Sequence, residues 1–145
     1  MRKDLVWALV GFLFMGAALW MTVSDAGWSE SRWSTDYGPI ELRIRDDGSV
    51  EGEYPDYGGR LIGVFRPNEK RVLGFWEQTS SERPCETPRG DTLAWGRFNW
   101  TLEGRNRILG AWSYCNDEPS GEKLWDGTFV DGIHPLDADV EPQID

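Results

Sequence analysis

After residue 26, apolar and polar residues alternate along most of this chain with the period of two that a half-buried strand requires. In residues 39–45, Ile40, Leu42 and Ile44 share one face, while Glu41, Arg43 and Arg45 share the other. Asp46-Asp47-Gly48 is a hairpin turn signal, and the pattern resumes with Val50, Gly52 and Tyr54 opposite Glu51 and Glu53. Residues 55–59 turn the chain into a strand over 60–66. Residues 66–70 turn it into another over 71–77, where Val72, Leu73, Phe75 and Trp76 imply burial on both faces. Residues 78–91 form the one long loop. Residues 92–102 then place Ala94, Gly96, Phe98, Trp100 and Leu102 inward against Trp95, Arg97, Asn99 and Thr101. Strands over 107–114 and 123–130 complete the series. Residues 27–36, with Trp28 and Trp33, read as an entry segment or short first strand.

A second regularity overlies the first. Six times a glycine stands two residues before an aromatic: Gly52-Tyr54, Gly63-Phe65, Gly74-Trp76, Gly96-Phe98, Gly110-Trp112 and Gly127-Phe129. Residues two apart share a strand face, so each strand offers a gap and a ring on one side. Such glycines let rings from neighbouring strands lie against the backbone and permit strong curvature. Together these patterns predict an all-β fold: a single antiparallel meander of seven to eight strands, closed into a small barrel that removes its exposed edges. The inward set Tyr54, Phe65, Trp76, Phe98, Trp100, Trp112, Trp125 and Phe129 is expected to fill the interior, since so small a barrel holds packed side chains or one ligand.

The chain divides into three parts. Arg2 and Lys3 precede residues 5–23, a run of 19 without a charge, expected to be a hydrophobic helix. It reads either as a secretory signal cleaved after Ala26 or as an uncleaved membrane anchor with Trp7 and Trp20 near its ends. Either reading exports the remainder to the periplasm or the exterior. Residues 27–132 are the barrel domain. Residues 133–145, with Asp137, Asp139, Glu141 and Asp145 beside Pro135 and Pro142, read as a flexible acidic tail.

Composition narrows the chemistry. The net charge of −10 opposes binding to phosphate backbones, so no nucleic-acid partner is expected. The two cysteines, Cys85 and Cys115, are expected to pair as a disulfide in an oxidising compartment. They and the single His134 are too few and too scattered for a metal site, and no cofactor is implied. Glu51 and Glu53, about 7 Å apart along one strand face, resemble a hydrolytic carboxylate pair only as any two acidic neighbours would. Asp46-Asp47-Gly48 and Asn116-Asp117-Glu118 lack the full calcium-loop spacing and read as turns. Asn99-Trp100-Thr101 matches a glycosylation sequon in mid-strand.

Two resemblances accompany the pattern. Gly48-Ser49-Val50-Glu51-Gly52-Glu53-Tyr54, Trp95-Gly96-Arg97-Phe98 and Trp125-Asp126-Gly127-Thr128-Phe129 resemble, in order, the hairpin and tryptophan strands of avidin-type binding proteins. That resemblance implies a β-barrel and small-molecule binding. The chain stops soon after the last of these motifs, where the closing strands of an avidin barrel would follow. The biotin-binding set has no residue-by-residue counterpart, so no biotin site is carried over. Residues 50–65 are similar to the hairpin of the MORN repeat. No catalytic set stands out, so the chain is expected to be a non-catalytic binding module recognising a small molecule, glycan or protein. Its candidate binding residues are Trp95, Trp33 and Arg97, on the rim or outer face. The alternative is an accessory subunit of an envelope complex, held to the membrane through residues 5–23.

Overall fold

The structure, a computed structural model, describes residues 27–141; the expected hydrophobic helix over 5–23 lies outside the described residues. Eight strands run in sequence order: β1 (Trp28–Thr35), β2 (Gly38–Arg45), β3 (Ser49–Tyr54), β4 (Gly59–Arg66), β5 (Arg71–Gln78), β6 (Ala94–Glu103), β7 (Arg107–Tyr114) and β8 (Gly127–Gly132). Each is antiparallel to the next, and β8 pairs back onto β1, so the sheet closes into a barrel. Closure removes the unpaired edges that a meander would otherwise present. The entry segment is thus a full strand. Of the two readings of this segment the strand is the one found, and its pattern is weak because two of its three inward residues, Ser31, Trp33 and Thr35, are polar. Among the described residues the only helical turns are three of 3-10 type, at Pro55–Tyr57, Pro67–Glu69 and Pro135–Asp137. None of these is long and apolar enough to cross a membrane.

The last strand differs from its expected course. Residues 123–125 pair with β7, Trp112 N donating to Lys123 O (3.0 Å) and Trp125 N to Gly110 O (2.8 Å). At Asp126 the chain bends. The Asp126 carboxylate accepts from Gly110 N (3.0 Å), and Asp126 N donates to the Asp36 carboxylate (3.0 Å). From Gly127 the chain lies chiefly against β1, keeping only the pairs Arg107↔Thr128 and Ile108↔Gly127 with β7.

The recurrent glycines do two jobs. A Cβ on Gly96 would stand 2.6 Å from the Trp76 ring and nearer still to Ser113 O, and one on Gly110 would stand 2.8 Å from Trp100 Nε1 and close to Trp125 O, so these positions seat a ring as well as a neighbouring backbone. Gly63 and Gly74 instead face each other across β4 and β5, where a Cβ on either would strike the backbone of the opposite strand.

The tail provides a larger correction. Residues 133–141 fold across one end of the barrel. Ile133 N donates to Glu30 O (2.7 Å) and Glu141 N to Asp46 O (2.8 Å), while Asp137 pairs with Arg105. His134 is buried, with its ring 5.6 Å from Trp33 and 5.2 Å from Phe129, and Leu136 and Val140 pack against the core. Pro135 opens the 3-10 turn rather than preventing order, because its missing N–H is not needed at a first helical position. Apolar rings at the barrel's end favour a cover, and the tail supplies it. The rest of that end is filled by buried side chains including Leu42, Ile44, Val50, Phe65, Trp100 and Leu102.

Candidate binding pocket at the barrel mouth

The opposite end is open. Four connections meet there: the Asp36-Tyr37 turn, the Pro55–Tyr57 turn, the loop 79–93 and the loop 115–126. Between them lies a cavity of about 820 Å³. Below it the interior is filled as expected: Tyr54, Phe65, Trp76, Phe98, Trp100 and Trp125 are buried and Trp112 and Phe129 pack against them, so the cavity belongs to the mouth and its loops. The inward rings nearest the mouth, Trp76, Trp112 and Trp125, meet their neighbours edge to face. Trp76 meets Trp112 at 84° (5.7 Å), and Trp125 meets Tyr37 at 79° (5.3 Å). Edge-to-face contact is the favoured geometry for such rings, and it holds them upright.

Hydrogen bonds fix the same rings. Trp76 Nε1 donates to Ser113 O (3.0 Å), Trp112 Nε1 to the Tyr37 hydroxyl (3.0 Å) and Trp125 Nε1 to Thr35 Oγ1 (3.1 Å). Each indole N–H is thus satisfied within the protein, leaving carbon surface for whatever enters. Tyr54 and Trp125 are buried at the floor, where their rings meet at 78° (5.2 Å). Burial pushes the Tyr54 phenol well above its ordinary value, so it stays neutral. Tyr57 and Tyr114 extend the aromatic wall outward, and Gln78, Ser80 and Ser81 add polar groups. Two carboxylates, Asp56 and Glu82, stand at the rim. The Asp56 side chain lies over Gly38, whose φ of +88° and lack of a Cβ make the space.

The loop carrying Ser80, Ser81 and Glu82 is tied down at several points. The Cys85–Cys115 disulfide joins it to the end of β7 across a Cα–Cα distance of 5.5 Å, confirming the expected pairing. Glu77 is buried beneath it, 2.6 Å from Arg60 Nε and 3.6 Å from Arg89 Nε, and the Arg89 guanidinium lies 3.4 Å from the Phe75 ring centroid. Thr92 Oγ1 donates to Gln78 O (2.7 Å), which closes the loop at its base.

The structure separates the three residues expected to bind. Trp33 is inside the barrel, 1% exposed, with Nε1 donating to Ser31 Oγ (2.9 Å). Trp95 is on the outer face but covered by the long loop: it donates to Thr87 O (2.8 Å) and stacks edge-on against Phe75 at 6.0 Å. Arg97 lies outside the barrel, 3.2 Å from Glu118. None of the three lines the mouth. The residues missed by sequence reasoning are Tyr37, Tyr57 and Tyr114, two in turns and one at a strand end, where alternation carries no information. Aromatics set among turn-forming residues, as in Pro55-Asp56-Tyr57-Gly58, are the signal that was available. Glu51 and Glu53 are exposed, and Glu51 lies 3.6 Å from Arg43. Among the described residues no group of three or more His, Cys, Asp or Glu is arranged to hold a metal ion.

Fold and cavity together define a closed, eight-stranded up-and-down barrel with one end plugged and the other open onto an aromatic-lined mouth. Comparison of the chain with family models, with curated proteins and with solved structures finds no match.

Proposed function

We propose that this protein is an exported, non-catalytic binding module whose barrel mouth takes a small molecule. The observation that carries the reading is the mouth itself: a cavity of about 820 Å³, walled by rings held upright by internal hydrogen bonds. Ligand pockets fall at about 300–1,000 Å³ and combine apolar walls with a few placed polar groups. Walls that keep their geometry without ligand reduce the ordering cost of binding. Export is supported by the disulfide and by the basic start and apolar run of the leader. An avidin-type relationship accords with the closed up-and-down topology, in which β1 and β8 supply the closure.

The test follows the indole N–H resonances of Trp76, Trp112 and Trp125 by NMR while phenol, indole, choline and maltose are added separately. Shifts confined to these three and saturating with at least one probe support the reading. Uniform silence across the panel refutes it.

A further inference from the structure

We infer that the mouth selects an organic cation, a small molecule bearing a quaternary or tertiary ammonium group. The inference rests on the reading of the mouth as a binding pocket and adds the charge and chemical class of its ligand.

Three observations converge. First, several aromatic rings converge on the mouth beside Gln78, Ser80, Ser81 and two carboxylates, and the three indole N–H donors are already bonded within the protein. A cation needs only the electron-rich faces of several rings, the arrangement known as an aromatic cage. Second, these rings already attract cations from the chain itself. Lys123 Nζ lies 5.8 Å from the Trp112 centroid and 5.7 Å from that of Tyr114, and the Arg83 guanidinium lies 5.8 Å from Tyr114.

Third, the charged side chains that line the mouth itself are acidic, while Lys123 and Arg83 lie against its rings without lining it. Asp56 and Glu82 line the mouth, and no Lys, Arg or His does. Neither carboxylate takes part in any of the ion pairs among the described residues. Some carboxylates elsewhere on this barrel are paired, as in Arg60–Glu77 and Arg105–Asp137, but most of those among the described residues are not. The rim thus holds two negative charges beside aromatic faces, with no ion-pair partner for them among the described residues. An anion would meet repulsion there, while a neutral ligand would leave the carboxylates without a counter-charge. A trimethylammonium group fits the requirement, since it is weakly hydrated and gives up little on entering an aromatic enclosure.

The test compares two probes of one shape. Choline and 3,3-dimethylbutan-1-ol differ in replacing the charged nitrogen by carbon. Each is titrated into the full-length protein, with indole N–H shifts as readout and indole itself as a neutral aromatic control. Choline is expected to bind at least about tenfold more tightly than the alcohol, a difference of about 1.4 kcal/mol. That preference should shrink at least about threefold at high salt, and likewise in an Asp56→Asn/Glu82→Gln double variant. Both residues are exposed, so the double variant should fold, and its unchanged circular dichroism is the check. Equal binding of choline and the alcohol overturns the cation assignment while leaving the pocket in place. Binding of indole with no response to choline does the same. A preference that survives the double variant unchanged overturns the role given to the carboxylates. Silence with all three probes overturns both the ligand class and the pocket.

Discussion

Gly74→Val should be among the most damaging single changes available in this barrel. Gly74 on β5 faces Gly63 on β4, and a Cβ at Gly74 would stand 2.5 Å from Gly63 Cα and 3.0 Å from the Ile62 carbonyl carbon, with the Ile62 oxygen nearer still. These neighbours are all backbone atoms, so no rotamer change relieves the clash and the two strands must separate. Overpacking a core costs about 1–3 kcal/mol when side chains can yield. Here they cannot, and we expect about 3 kcal/mol or more. At about 4 °C per kcal/mol for a domain near this size, the melting temperature should fall by about 12 °C. Gly121→Ala is the matched control: nothing lies within 4 Å of its Cβ position and its φ is not in the left-handed region. It should be neutral or stabilise by up to about 1 kcal/mol. Urea denaturation of both variants decides the matter. An unchanged midpoint for Gly74→Val would show that the two strands do not approach as described, and the argument from close backbone packing would fall.

Three further outcomes are expected. Replacing both Cys85 and Cys115 by Ser opens a loop of sequence separation 30, and on the chain-entropy account should cost about 3.5 kcal/mol in oxidising buffer while making stability insensitive to reductant. Glu77→Gln leaves Arg60 and Arg89 without their buried counter-charge; because Arg60 is largely exposed, the expected loss is about 1–2 kcal/mol, read by thermal melting, with faster amide exchange in residues 79–93. Burial first, then the nearby Arg105 charge, holds the His134 imidazole below its ordinary value against the opposing influence of Asp137. The folded chain therefore keeps His134 neutral where the unfolded chain takes up a proton, so stability should decline as pH falls below about 6.5. The difference in urea midpoint between pH 7.5 and 5.5 should be smaller in His134→Gln, and an equal difference in both proteins would refute the linkage.

The strand plan was legible in the residues because alternation is a local property with a large energetic consequence. Slipping β2 by one position would turn Ile40, Leu42 and Ile44 to solvent and Glu41 and Arg43 into the core, so one register dominates. The glycine–aromatic pairs likewise announced the close approach of neighbouring rings and backbone, and the two cysteines announced their bond. What the chain's own pattern could not decide is which rings fill space and which merely border it. Trp100 and Trp125 look alike as inward aromatics, yet one is packed at the plugged end and the other forms the floor of the mouth. That difference arises from where the closed wall brings β7, β8 and the four mouth turns together, a contact between segments up to 90 residues apart, as between Trp125 and Thr35. Trp95 was covered by the loop that joins its own strand to β5, whose path alternation does not encode, and the acidic tail was docked because the closed barrel assembles an apolar end for it from distant strands. Periodicity assigns a side chain to a face; the tertiary structure decides what stands opposite it.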